Sequence, residues 1–87
     1  MTELTKIFWA CRRGMLELDL LLLPFAQAEY GQLDKQQQHD FVELLSFPDP
    51  TLLNWLMGYE QPNETRLNKL VQQIRKFSFD RIQPETV

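Results

Sequence analysis

The sequence predicts an all-α fold, a small five-helix bundle in a single domain. Two apolar quartets set the period: Leu4, Ile7, Phe8 and Cys11 near the start, and Leu67, Leu70, Val71 and Ile74 near the end. Both follow i, i+3, i+4, i+7 spacing, which places four side chains on one helical face and does not fit a strand. Glycine, proline and aspartate punctuate the chain between such segments, as helix starts and stops do. The leucine run 20–23 alone would suit a buried strand, but no second strand candidate exists to pair with it.

The first helix is expected over residues 2–12 or 2–13, with Thr2 as its cap. Gly14 breaks the chain, because glycine takes the left-handed conformation without a Cβ penalty. Arg12 and Arg13 then complete the carbonyl end of the first helix. Glu17 and Asp19 sit in the opening turns of the second, where anions are favoured. That second helix, residues 15–30, is apolar almost all round and belongs at the centre of the bundle. Pro24 lies inside it and predicts a kink or a break, since proline removes a backbone donor. Gly31 is expected to end it. Asp34 with Gln37 three residues on reads as a capping box for a third helix reaching about Leu45. Phe41, Val42, Leu44 and Leu45 should face inward there. Residues 46–48 form a turn. Asp49 followed by Pro50 reads as a cap and first helical residue, so a fourth helix covers 50–57 and closes at Gly58. Leu52, Leu53 and Leu56 are its core positions, with Trp55 beside them. Pro62 and Asn63 restart the chain. The fifth helix is expected to end near Phe77, leaving 79–87 as a loose tail on a single helical domain spanning 1–87.

Composition narrows the function classes. The chain has 87 residues, with 44% hydrophobic and 24% charged, ordinary values for a globular domain. Its formal net charge of −3 argues against a nucleic-acid partner, which needs a basic surface. The single cysteine, Cys11, lies on the apolar stripe and reads as a buried, inert thiol. The apolar runs are too short for membrane insertion, and no secretory leader pattern opens the chain. A monomeric protein of the cytoplasm is expected. No enzyme chemistry is visible. There is no CxxC, HExxH or glycine-rich phosphate loop, and His39 has no second histidine and no cysteine near it in the sequence with which to hold a metal.

The candidate site is the corner between the first two helices. Helical geometry, at about 100° per residue, puts Lys6, Trp9 and Arg13 on the face opposite the apolar stripe. A core has no need of that tryptophan unless a later segment of the chain packs over it, and exposed Trp and Arg often anchor interfaces. Lys6, Trp9, Arg13, Gly14, Glu17 and Asp19 are therefore the candidate partner-binding residues. Within them, Arg13 and Glu17 are spaced to pair across the corner.

Residues 13–17, Arg-Gly-Met-Leu-Glu, fit an RGxxE pattern. Around it stand Trp9-Ala10-Cys11-Arg12, Leu18-Asp19, Pro24-Phe25, Glu29-Tyr30, Asp49-Pro50 and Asn54-Trp55-Leu56-Met57. In these positions the chain resembles the small succinate dehydrogenase assembly factors, the bacterial flavinator proteins and their mitochondrial relatives. The resemblance implies a helical bundle that binds the flavoprotein subunit of succinate dehydrogenase or fumarate reductase. It implies a factor promoting covalent attachment of FAD to a histidine of that subunit, not an enzyme. FAD would belong to the client, with no cofactor bound stably by the factor itself. An antitoxin-type binding module, using the same surface for a small toxin, is the alternative.

Overall fold

The tertiary structure is a computed structural model that describes the backbone of residues 3–82 and the side chains of residues 4–81. Five α-helices follow one another: α1 (Glu3–Ala10), α2 (Leu16–Glu29), α3 (Lys35–Leu44), α4 (Asp49–Leu56) and α5 (Thr65–Ile82). A short 3-10 turn, Tyr30–Gln32, follows α2. There is no strand among the described residues. The radius of gyration is 12.6 Å, against roughly 12 Å for a compact domain of this length. The helices therefore form one packed body.

The apolar periodicity drives that packing. Helix α2 is central and packs against α1, α4 and α5. Its Leu18 and Leu22 are fully buried, as are Phe41 and Leu44 of α3, Leu52 of α4, and Val71 and Ile74 of α5. Each such side chain removed from water contributes about 1.5–3 kcal/mol before chain entropy is counted. Phe25 joins three helices. Its ring lies 5.7 Å from Phe41 and 5.6 Å, edge-on, from Phe77. Such tilted and edge-to-face arrangements suit the aromatic quadrupole.

Several expected signals work as written. Asp34 accepts from the Gln37 backbone N–H at 2.8 Å, and Gln37 Oε1 accepts from the Asp34 N–H at 3.4 Å, the reciprocal capping box. Gly14 and Gly58 have φ of 82° and 84°. Thr2 lies outside the described residues.

Other expectations are corrected. Helix α2 has no break at Pro24, since one missing donor is outweighed by burial on both sides of it. Gly31 does not close α2 in a left-handed cap. The helix tightens into the 3-10 turn, where the Leu33 N–H donates to the Tyr30 carbonyl. Helix α4 starts one residue early, with Pro48 as its cap, so Asp49 is its first residue. Helix α5 continues past Phe77 to Ile82 because Ser78 is itself buried, so residues 78–82 are not a loose tail. The rest of that tail, 83–87, falls outside the described residues. On α1, Leu4 is exposed at the outer end of its stripe, and on α3 Val42 points outward.

The exposure of α2 is a further correction. Leu16 and Leu20 are 69% and 59% exposed. They lie about 200° around the helix from Leu18 and Leu22, so the side facing the core leaves them in water.

Candidate functional site

The corner is built first from backbone. Helix α1 unwinds after Ala10, where the Cys11 N–H donates to Ile7 and Phe8 carbonyls and the Arg12 N–H to Trp9. Gly14 then turns the chain with positive φ. A Cβ there would meet no heavy atom within 4 Å, so backbone conformation, not lack of space, calls for glycine. Helix α2 starts with Met15 as a cap that offers no side-chain acceptor. Asp19 supplies a bond to the corner instead. Its Oδ1 accepts from the Arg13 backbone N–H at 2.7 Å.

Arg13 turns inward and fills its donors there. Its Nε donates to Asp49 Oδ1 at 2.8 Å. One terminal nitrogen donates to the Ala10 carbonyl at 3.0 Å and the Leu45 carbonyl at 2.8 Å. The other donates to the Phe47 carbonyl at 3.0 Å. The side chain is only 16% exposed. A planar guanidinium with its donors in a fixed fork can serve all four acceptors at once. It completes the carbonyl end of α1, as expected of a cation near that terminus, and also ties α1 to the turn between α3 and α4.

This geometry divides the candidate residues into two groups. Lys6, Trp9, Gly14 and Glu17 are exposed, with Trp9 at 62%. Arg13 does not share their open face, because the carbonyls of the α3–α4 turn draw its guanidinium inward. The expected Arg13–Glu17 pair is absent for the same reason, and Glu17 makes no ion pair among the described residues. Asp19 is half-buried and spent on the Arg13 backbone.

Three positions that shape the corner were missed by sequence reasoning. Arg12 lies over the Trp9 ring at 5.5 Å, a cation–π contact that holds the indole in place. Leu16 extends the exposed surface beside Glu17, and a helical wheel anchored on Leu18 and Leu22 would have found it. Asp49 read as a helix cap, and no local signal connects it to Arg13.

Cys11 is fully buried beneath the corner. Burial pushes its thiol up to about 12, opposed by the Arg13 charge and reinforced by Asp19. It is not a nucleophile at neutral pH. No group of three metal-ligating side chains exists among the described residues. The corner thus offers an aromatic anchor, cations from Lys6 and Arg12, the exposed Glu17 carboxylate and a fixed turn, which together suit recognition of another protein.

A family model described as "Flavinator of succinate dehydrogenase" matches residues 5–78, a span that includes the corner and most of the bundle. The chain belongs to this family. Proteins named FAD assembly factor SdhE are similar to it along most of their length. That of Colwellia psychrerythraea is 48% identical over 71 residues, covering 82% of this chain and 78% of the relative. That of Pseudomonas aeruginosa is 42% identical over 84 residues, covering 97% and 95%. That of Pectobacterium atrosepticum is 40% identical over 77 residues, covering 88% of each. Membership in the flavinator family agrees with the resemblance carried by residues 13–17 and their neighbours. No helix of the described residues is long and apolar enough to cross a membrane.

Proposed function

We propose that this protein is an FAD assembly factor that binds the flavoprotein subunit of succinate dehydrogenase, or of fumarate reductase, and promotes covalent attachment of FAD to it. The observation that carries the reading is the exposed corner: Gly14 fixes the turn, Trp9 stands 62% exposed beside it, and Glu17 is exposed with no ion pair among the described residues. The names of the similar proteins support the reaction, and the corner supports a protein as the partner.

The mechanism is positional. The factor holds the client so that its histidine and the flavin ring meet in line, and the flavin supplies its own electrophilic chemistry. FAD stays with the client. None of the corner residues lines the surface depression on the α3 side, formed by Lys35, His39, Asp40, Glu43 and Arg66. On this reading the protein is not itself an enzyme, works as a monomer in the cytoplasm, and uses neither nucleic acid nor membrane.

Affinity capture from cell extract tests the partner directly. A tagged wild-type chain retains a large flavoprotein, and a Trp9→Ala chain retains much less. Retention of a small toxin in its place would make the antitoxin-type module the correct reading.

A further inference from the structure

We infer that Asp49 is a positioning residue for the corner's action on the flavoprotein, working through the guanidinium of Arg13. The inference rests on the reading of function above. Asp49 lies 36 residues from Arg13 and contributes no exposed anchor of its own. Its Oδ1 accepts from Arg13 Nε at 2.8 Å, and its side chain is 31% exposed.

The turn that carries Asp49 is itself tied to the core. The Ser46 and Phe47 N–H groups donate to the Glu43 and Leu44 carbonyls. The Phe47 ring packs edge-on against buried Trp55, with centroids 4.9 Å apart. Leu45 and Phe47 offer carbonyls to the same guanidinium. A continuous path therefore runs from the core through Trp55, Phe47 and Asp49 to Arg13. From Arg13 it reaches Ala10 through the side chain and Asp19 through the backbone. Those two contacts lie on either side of Gly14, so the path sets how α1 and α2 meet.

Asp49 is the single counter-charge in this set, the other side-chain acceptors of Arg13 being carbonyls. Without it a mostly buried cation faces only dipoles, and the guanidinium has reason to turn toward water. The aromatic and cationic anchors Trp9, Lys6 and Arg12 stay on α1 whatever Arg13 does. Loss of Asp49 therefore leaves the contacts that give affinity and loosens the angle at which Gly14 and Glu17 are presented. A misplacement on the order of 1 Å costs about a hundredfold in a reaction that depends on alignment.

The test measures covalent flavin formed on purified client flavoprotein with added FAD, as a function of factor concentration. Wild type is compared with Asp49→Asn, Arg13→Lys, the double variant, and Leu53→Ala. Leu53→Ala lowers the stability of the same helix and removes none of the hydrogen-bond partners of the Arg13 side chain. For Asp49→Asn the saturated rate falls about ten- to a hundredfold, while the half-saturating concentration stays within about threefold. The double variant is no slower than the slower single, because both changes break one link. Leu53→Ala, matched for melting temperature, keeps the wild-type saturated rate. An unchanged saturated rate in Asp49→Asn overturns the inference, as do strictly additive losses or an equal loss in Leu53→Ala. Failure of wild type to raise covalent flavin at any concentration removes the functional reading and the inference together.

Discussion

At the scale of single residues, Trp9 and Cys11 stand two positions apart, on opposite faces of α1 and its continuation, and their fates differ accordingly. Trp9 is 62% exposed with Arg12 stacked on it. Trp9→Ala should cost about 2 kcal/mol or more of client binding, as truncation of a central aromatic anchor does. Its effect on folding should stay within about 0.5 kcal/mol. In a Trp55→Phe background the remaining indole emits at long wavelength and shifts to the blue when client is added. Blue emission in the free chain would place Trp9 in the core. Cys11 behaves oppositely. Its thiol is raised from 9.0 to about 12 by burial, so the unfolded chain loses its proton first. Between about pH 9 and pH 12 the unfolded state binds fewer protons than the folded one, and stability falls as pH rises. Urea titrations of wild type and Cys11→Ala should diverge below that window by about 1–2 kcal/mol in favour of wild type. Through the window the gap should close, and a gap independent of pH would contradict the burial. Both positions were legible from i, i+3, i+4, i+7 spacing. The inward turn of Arg13 was not. Three of its four acceptors are backbone carbonyls, of Ala10, Leu45 and Phe47, which no residue type advertises, and the fourth, Asp49, lies 36 residues away.

At the scale of elements, the local signals read well and the long-range ones did not. The Asp34 capping box and the left-handed Gly58 follow from chemistry within a few residues. Gly58 also faces the Arg75 guanidinium, whose terminal nitrogen lies 2.6 Å from where a Cβ would stand. The end of α5 was misplaced because Ser78 looks polar yet is buried. Asp40, on the polar side of α3, was missed for the same reason. It is 4% exposed and accepts from Arg66 at 2.8 Å and from Gln36 at 3.1 Å. Arg66 also bonds Glu43 and Glu64, and these carboxylates hold its guanidinium above its ordinary range. The cluster joins α3 to the start of α5. Arg66→Ala leaves the Asp40 carboxylate buried with Gln36 alone, so the melting temperature should drop. Adding Asp40→Asn should recover part of the loss, because the uncompensated charge is then gone. Recovery is read from thermal melts at neutral pH. If the double variant melts below Arg66→Ala, Asp40 does not carry a stranded charge in the single variant.

At the scale of the molecule, the bundle places its large buried side chains between α2, α3, α4 and α5, and leaves the α1–α2 corner outside that mass. The five-helix count and the central position of α2 were legible because apolar spacing and chain punctuation both report on burial. Which leucines of α2 face water was not, since a run of identical residues carries no internal contrast; packing against α4 and α5 chose Leu18 and Leu22 over Leu16 and Leu20. The corner keeps its shape through contacts behind it and its chemistry in front. Glu17 belongs to the front: it is exposed and makes no ion pair among the described residues. Its removal separates function from fold more cleanly than any other change in the motif. Gly14→Arg does so less cleanly, because a non-glycine residue at φ of 82° adds about 1–2 kcal/mol of backbone strain. The decisive measurement is a reconstitution of purified client flavoprotein with FAD, read as fluorescence of covalent flavin in a denaturing gel. Wild type should raise the covalent signal well above client alone. Glu17→Ala, with unchanged circular dichroism and melting temperature, should bring it back to the level of client alone. A Glu17→Ala chain as active as wild type would contradict the assignment of the corner as the working surface.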